Sequence, residues 1–471
     1  MNFGCNSNQT HSTMNTFFLA ANKFLMTSFV ITIMLSFTFN CNGMPADNPT
    51  SQSVEIPEIW WEQAVNKLNT NNGDLSDLDF LKDLIGNKRI VALGEQTHED
   101  GASFAARARI IDFLISEMDF SVIIYESGVF DMFHAQNLLA ESGAIESVTN
   151  GFYGFWRGEE QQYMYSQWQA YIDKGQELTF AGFDIKHTSY GYENSNYTKA
   201  VIRAVEEIMP QYLEREEFLS WLGIWTDIEE KASRDGIRGA LSRLRYKMNR
   251  RTKAQFAESN KWLSAKFAEN DAEFWAVKIA HLDEGILAYS NLRLGHLITM
   301  RRFIDLNNRR DELMASLLEW QLTEQLPNER IILVGATYHF LQNPDKVDPI
   351  KIQRVPVHES VIMMNELSQE LRDEIYVIGF AAYEGYYGMS RGENSGNTVT
   401  KAPEFSLEHQ VVSRGYDYAF VSLAHNQLAS EFWDASPVIR LLDYHSEMRS
   451  SSWDEILDAV VVIREMYPVR F

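Results

Sequence analysis

One imidazole and two carboxylates stand at the ends of two apolar runs. Arg89-Ile-Val-Ala-Leu93 leads into Gly94-Glu95-Gln96-Thr97-His98, and Phe120-Ser-Val-Ile-Ile-Tyr125 leads into Glu126. Short apolar runs of this kind read as buried strands. Ligands of open α/β sheets bind just beyond the carboxyl ends of such strands. A histidine beside carboxylates at that edge suits general-base chemistry. The imidazole titrates near neutral pH, and a neighbouring carboxylate orients it and tunes its pKa. An acid in a loop is uninformative by itself, since surface loops carry many. The informative expectation is that Glu95, His98 and Glu126 face one crevice.

The elements that would position them follow from periodicity. Ala102 to Met118 carries Phe104, Ala108, Ile111, Leu114 and Ile115 at helical spacing, with Arg107 and Arg109 in its first half. Strand, helix and strand in so short a stretch form a βαβ unit with parallel strands. Read alone, Arg107 belongs to a solvated helix face. Strands are expected at 88–94, 120–126 and 177–184, the last ending in Asp184. Helices near 129–141 and 159–174 separate the second and third. Residues 59–85 read as mostly helical, with a break near Asn71-Asn-Gly73. From 197 to 326 the chain is almost wholly helical, with Trp221, Ile224 and Trp225 on one face, which is a domain-sized insertion. Strand character returns at 330–335, 374–381, 417–422 and 459–463, and Gly385 to Pro403 reads as a long loop. The fold class expected is α/β, a mostly parallel sheet flanked by helices, with the large helical insertion 197–326 covering the cleft.

Composition narrows the function. Of 471 residues, 45% are hydrophobic and 23% charged, which is ordinary for a globular chain. A net charge of −23 argues against nucleic-acid binding, which needs a basic face. It argues equally against charge-driven adhesion to an anionic membrane. The two cysteines, Cys5 and Cys41, precede the folded part, so a disulfide, a thiol nucleophile and a cysteine zinc site are not expected there. The apolar run Phe24 to Phe39, behind Lys23 and ahead of Cys41, reads as a signal peptide or lipoprotein signal over 1–41. It is short for a membrane-spanning helix. Residues 42–54 would form a flexible tether. Export to the cell envelope or periplasm is expected, and a lipid on Cys41 would anchor the protein there. A P-loop and His-Glu-x-x-His are both missing from the sequence. His98, Glu99 and Asp100 with Glu95 and Asp184 offer oxygens to a hard cation. Zinc sites usually carry more histidine, so chemistry without metal or cofactor is expected. His134, His281 and His296 lie in helical stretches and read as non-catalytic. His187 stands near the Asp184 edge.

Further motifs follow in order. They are Arg107-Ala-Arg109-Ile-Ile-Asp-Phe-Leu114, Tyr125-Glu126-Ser-Gly128, Ala181-Gly-Phe-Asp184, Arg310-Asp311-Glu-Leu-Met314, Ile331-Ile-Leu-Val-Gly-Ala-Thr-Tyr-His339 and the block from Met364 to Gly388. With Gly94-Glu95-Gln96-Thr97-His98, this ordered set resembles the erythromycin esterase family over roughly residues 55–465. The resemblance implies a hydrolase that opens an ester or a macrolide lactone with water, and hence a small-molecule ester or lactone as partner. It implies that His98 is the catalytic base, that Glu95 and Glu126 orient the imidazole or the water, and that Arg107 and His339 stabilise the oxyanion. Asp184 would meet the substrate. No covalent intermediate is implied. The chain departs from the family pattern at Gln96, usually alanine, and at Glu99-Asp100, where a glycine usually follows the histidine. It departs again at Ala336, usually the first of two histidines. Acids beside a base can raise its pKa or repel an anionic substrate. Two alternatives stay open: a cell-envelope binding protein without catalysis, and a hydrolase of another bulky envelope substrate. His425-Asn426 echoes the family's His-Asn pair in the wrong part of the chain and reads as a decoy.

Overall fold

The computed structural model describes residues 58–70, 72–185, 197–233, 250–281, 300–347, 351–352, 355–357, 360–390, 396–423, 438–442 and 449–471. The expected signal and tether, 1–54, and the histidines 187, 296 and 425 lie outside them. Among the described residues, no helix is long and apolar enough to cross a membrane.

Among the described residues nine strands form one sheet: β1 Val65–Lys67, β2 Ile90–Glu95, β3 Val122–Gly128, β4 Thr179–Asp184, β5 Ile331–Ala336, β6 Ile375–Tyr387, β7 Asn397–Val399, β8 Tyr418–Ser422 and β9 Ala459–Met466. Their spatial order is β1-β8-β9-β6-β2-β5-β3-β4, with β7 on β6. The six strands from β9 to β4 are mutually parallel. At one edge β8 runs antiparallel to β9 and β1 antiparallel to β8, while β7 runs antiparallel to β6. The fold is thus α/β with a mixed, largely parallel sheet flanked by helices.

The central strands are apolar on both faces. In β2, Ile90 and Ala92 join one core while Val91 and Leu93 join the other; in β5, Ile331 and Leu333 oppose Ile332 and Val334. Strands buried on both faces need a layer on each side. Helix α1, Gly101–Glu117, follows β2 and packs Phe104, Ala108 and Ile111 into one core. The connection leaving β5 packs Met363, Met364 and Leu367 into the other. Neighbouring strands β2 and β5 therefore send their chains over opposite faces, and Glu95 stands opposite Ala336 across the pair. A crevice opens at such a point beyond the strand ends.

Other helices complete the layers: α2 Val129–Ser142, α3 Gln162–Asp173, α4 Tyr197–Ile208, α5 Glu216–Ser233, α6 Arg250–Ala268 and α7 Met300–Trp320. Tyr197, Trp221, Phe256 and Leu263 belong to a separate apolar core, which Phe130 of α2 joins. Several local expectations change. Val65–Lys67 pairs with β8 as an edge strand where helix was expected; three residues are too few to show a period. Strand β6 runs on to Tyr387 and pairs with β7, inside the expected loop. Arg107 and Arg109 are buried, not solvated, because α1 is covered by both the sheet and α3. Arg109 is satisfied by Asp77 at 2.6 Å and by the Asn69 and Asp74 carbonyls.

Gly94, next to Glu95, has a steric reason. A Cβ there would stand 2.6 Å from Thr337 Oγ1 and 2.8 Å from Thr337 Cα. We expect Gly94→Ala to cost about 1–3 kcal/mol in chemical denaturation, the usual size of overpacking. An unchanged denaturation midpoint would show that the strand end has room to move.

Candidate active site

Three strand ends deliver the polar groups. At the end of β2, Glu95 is buried and uses both oxygens. Oε1 lies 2.5 Å from His98 Nδ1. Oε2 accepts from Arg107 Nη1 at 2.7 Å and from Trp156 Nε1 at 3.1 Å. Arg107 lies over the Phe104 ring, and its Nη2 has no hydrogen-bond partner. His98 stacks on Phe155 with ring centroids 4.6 Å apart, and Trp156 meets it edge-on. Its side chain is 40% exposed, unlike the carboxylates around it.

The second half is buried. Glu126, on β3, accepts from Arg310 Nη2 at 2.8 Å and from the Ala336 backbone N–H at 2.9 Å. His339 Nε2 lies 3.2 Å from the Glu126 carboxylate, and its Nδ1 lies 2.9 Å from Asp311 Oδ2. Arg310 also holds both oxygens of Asp184, at 3.1 and 2.8 Å. Tyr153 donates to the same Asp184 at 3.0 Å. Asp311 accepts the Met363 N–H at 3.1 Å as well.

Residues 115–466 match the erythromycin esterase family model. The chain belongs to the erythromycin esterase family. The matched span holds Glu126, Asp184, Arg310 and His339, and begins after Glu95, His98 and Arg107. A putative hydrolase of Bacillus subtilis, YbfO, is 25% identical over 377 residues, covering 78% of this chain and 81% of its own. Erythromycin esterase type II of Escherichia coli is 27% identical over 127 residues, 27% of this chain and 30% of its own. Among solved structures, an erythromycin esterase mutant in its open conformation superposes with a TM-score of 0.60 at 18% identity, over 86% of this chain and 98% of the other. A Bacillus cereus protein does so at 0.64 and 18%, over 87% and 97%.

Glu95, His98, Arg107, Glu126, Asp184 and His339 fall into two clusters coupled by charge. Arg310 and Asp311 complete the second. The sequence shows them only as the start of a helical motif, 184 residues from Glu126 in the case of Arg310. Asp184, expected to meet the substrate, is fully buried and bound to Arg310. Ala336 contributes its backbone N–H to Glu126. Glu99 and Asp100 turn out to serve the loop: the Glu99 carbonyl accepts from Gly388, and the Asp100 carboxylate accepts the Thr97 N–H at 3.2 Å. Among the described residues no group of three or more His, Cys, Asp or Glu is placed to hold a metal ion.

Burial would lower the His98 pKa, but the hydrogen bond to Glu95 and the charges of Glu126 and Glu95 outweigh it and leave it raised. Burial would raise Glu126; the charge and hydrogen bond of His339, with His98 and Arg310, instead hold it well below the usual carboxylate range. His339, lowered by burial, is raised further by Asp311 and Glu126, to about 9. A histidine with a raised folded pKa stabilises fully below its unfolded value and loses that contribution as pH climbs through the folded one. We expect His339 to contribute roughly 3 kcal/mol below pH 6.5, fading through about pH 9. Urea denaturation across that range should show the loss, and His339→Gln should flatten it. An equal slope in both proteins would contradict the assignment.

Proposed function

We propose that this protein is a metal-independent carboxylic ester hydrolase that opens an ester or a macrolide lactone with water activated by His98. The observation that carries the reading is the Glu95–His98 pair, with Nδ1 held at 2.5 Å on a buried carboxylate while the ring keeps access to solvent. A carboxylate on Nδ1 fixes that proton and leaves Nε2 free to act as a base. Among the described residues His98 Nε2 has no protein partner. Arg107 and Trp156 occupy the other Glu95 oxygen, so the carboxylate cannot swing away.

In the reaction His98 takes a proton from water as the oxygen attacks the carbonyl carbon. The imidazolium that forms lies in the field of Glu95 and Glu126. Collapse of the tetrahedral intermediate breaks the ester C–O bond, and His98 returns the proton to the leaving alcohol. Arg107 retains an unused N–H at Nη2. That favours it over His339, whose ring nitrogens are both engaged, as donor to the developing oxyanion. Phe155 and Tyr153, stacked at 5.1 Å, offer an aromatic wall beside the base. Such a wall suits a bulky apolar substrate. Envelope placement, with or without a lipid on Cys41, completes the proposal.

The test pairs a panel of macrolides and simple esters with product mass measurement. On a substrate that gains water, His98→Ala should lower kcat by about two to four orders of magnitude, with far less change in KM. His281→Ala, a histidine bonded to Val277 and Ser316, serves as the control. Exhaustive chelation should leave the rate unchanged. Near-normal turnover by folded His98→Ala would remove the base. Activity that disappears on chelation and returns with zinc or manganese would replace the metal-free route.

A further inference from the structure

We propose that the segment Tyr467–Arg470, locked by the Arg470–Glu160 pair, is a positioning element of the active site that sets where His98 stands against Glu95. The inference rests on the reading of His98 as the base.

The segment touches both supports of the imidazole. On one side it holds the loop that carries His98. The Tyr467 carbonyl accepts the Gly101 N–H at 2.9 Å, and Pro468 forms a bridge with Asp100. The Glu99 carbonyl accepts the Gly388 N–H at 3.2 Å, and the Gly388 carbonyl in turn accepts the Val469 N–H at 3.0 Å. On the other side lies the turn Gly154–Arg157, which supplies Phe155 and Trp156, the ring under His98 and the donor to Glu95. The next residue, Gly158, packs directly on the segment. A Cβ there would stand 2.4 Å from Val469 Cγ1 and 3.0 Å from the Arg470 carbonyl.

Glu160 closes the clasp. Its side chain is wholly buried, and it accepts from Arg470 twice, from Nε at 2.8 Å and from the backbone N–H at 3.2 Å. A carboxylate that takes both the side chain and the backbone of one residue fixes that residue's path. The Arg470 side chain itself is 58% exposed, where an ion pair contributes little to stability. Geometry is the better reason for the pair. His98 sits on the short loop between β2 and α1, while Glu95 belongs to the strand. Keeping the loop in register with the strand needs outside support, because catalytic groups tolerate little displacement.

The test uses the full chain and two readouts. In Arg470→Ala, kcat on the chosen ester should fall about tenfold or more, with KM within about twofold. The His98 titration, followed by NMR in the resting protein, should move down toward the ordinary 6.5 as contact with Glu95 loosens. Arg470→Lys should restore most of both. Arg464→Ala, which removes the neighbouring pair to Asp417, should move neither. Should Arg470→Ala not fold, Arg470→Gln takes its place with the same readouts. A folded variant with wild-type kcat and an unshifted His98 titration would overturn the proposal. If no ester is turned over, the titration alone decides, so failure of the esterase reading and failure of this inference are separate results.

Discussion

Glu126 stays ionised inside the protein because His339, His98 and Arg310 stand around it and the Ala336 N–H donates to it. A buried carboxylate without partners costs several kcal/mol, and stripping one partner from a buried pair typically costs roughly 3–5 kcal/mol. Each partner carries its own demand. Arg310 is satisfied by both oxygens of Asp184, and His339 by Asp311. The result is one closed set of three carboxylates and two cations. It ties β3, β4, the end of β5 and helix α7 together at the carboxyl edge of the sheet. Losing any member leaves the others with a charge they cannot hydrate.

That set stays buried, and its effect on the exposed side is electrostatic. The Glu126 and Glu95 charges together hold His98 above its ordinary value, against the pull of burial. Glu95 belongs to a second, smaller set with Arg107 and Trp156, which fixes the carboxylate and through it the Nδ1 proton. His98 stands at the boundary of the two sets, partly exposed where its partners are closed in. The fold makes this meeting possible. Neighbouring strands β2 and β5 part to opposite faces, so the polar ends of β2, β5 and β3 gather at one edge of the sheet.

Much of this is legible in the sequence, for a physical reason. Glu95, Glu126, Asp184 and His339 each close an apolar run, and a charged residue at the end of a buried strand is conspicuous. The role of Arg310 is not. It lies near the middle of a charged helix, where arginine normally faces water, and its burial exists only after β3, β4 and α7 pack. The same holds for Arg107 on α1, whose second covering layer no local pattern reveals. Trp156 and Phe155 show as an aromatic cluster, but not which ring supports His98. Glu99 and Asp100 invite a reading through their charge. Their contribution lies in a carbonyl and a loop-closing carboxylate, and three-dimensional pairing alone discloses that. The short edge strand Val65–Lys67 and the pairing of Asn397–Val399 depend on partners far along the chain.

In the proposed reaction His98 acts as a base whose affinity for protons is set by Glu95. The most direct measurement is the pH dependence of kcat/KM on a confirmed ester, in the native protein and in Glu95→Gln. The rate should rise with pH through a midpoint above 6.5 in the native protein, and through a lower midpoint in the variant, because removing the charge removes part of what raises His98. A native profile without a rising limb in that region, or a midpoint that stays in place when Glu95 loses its charge, would contradict it.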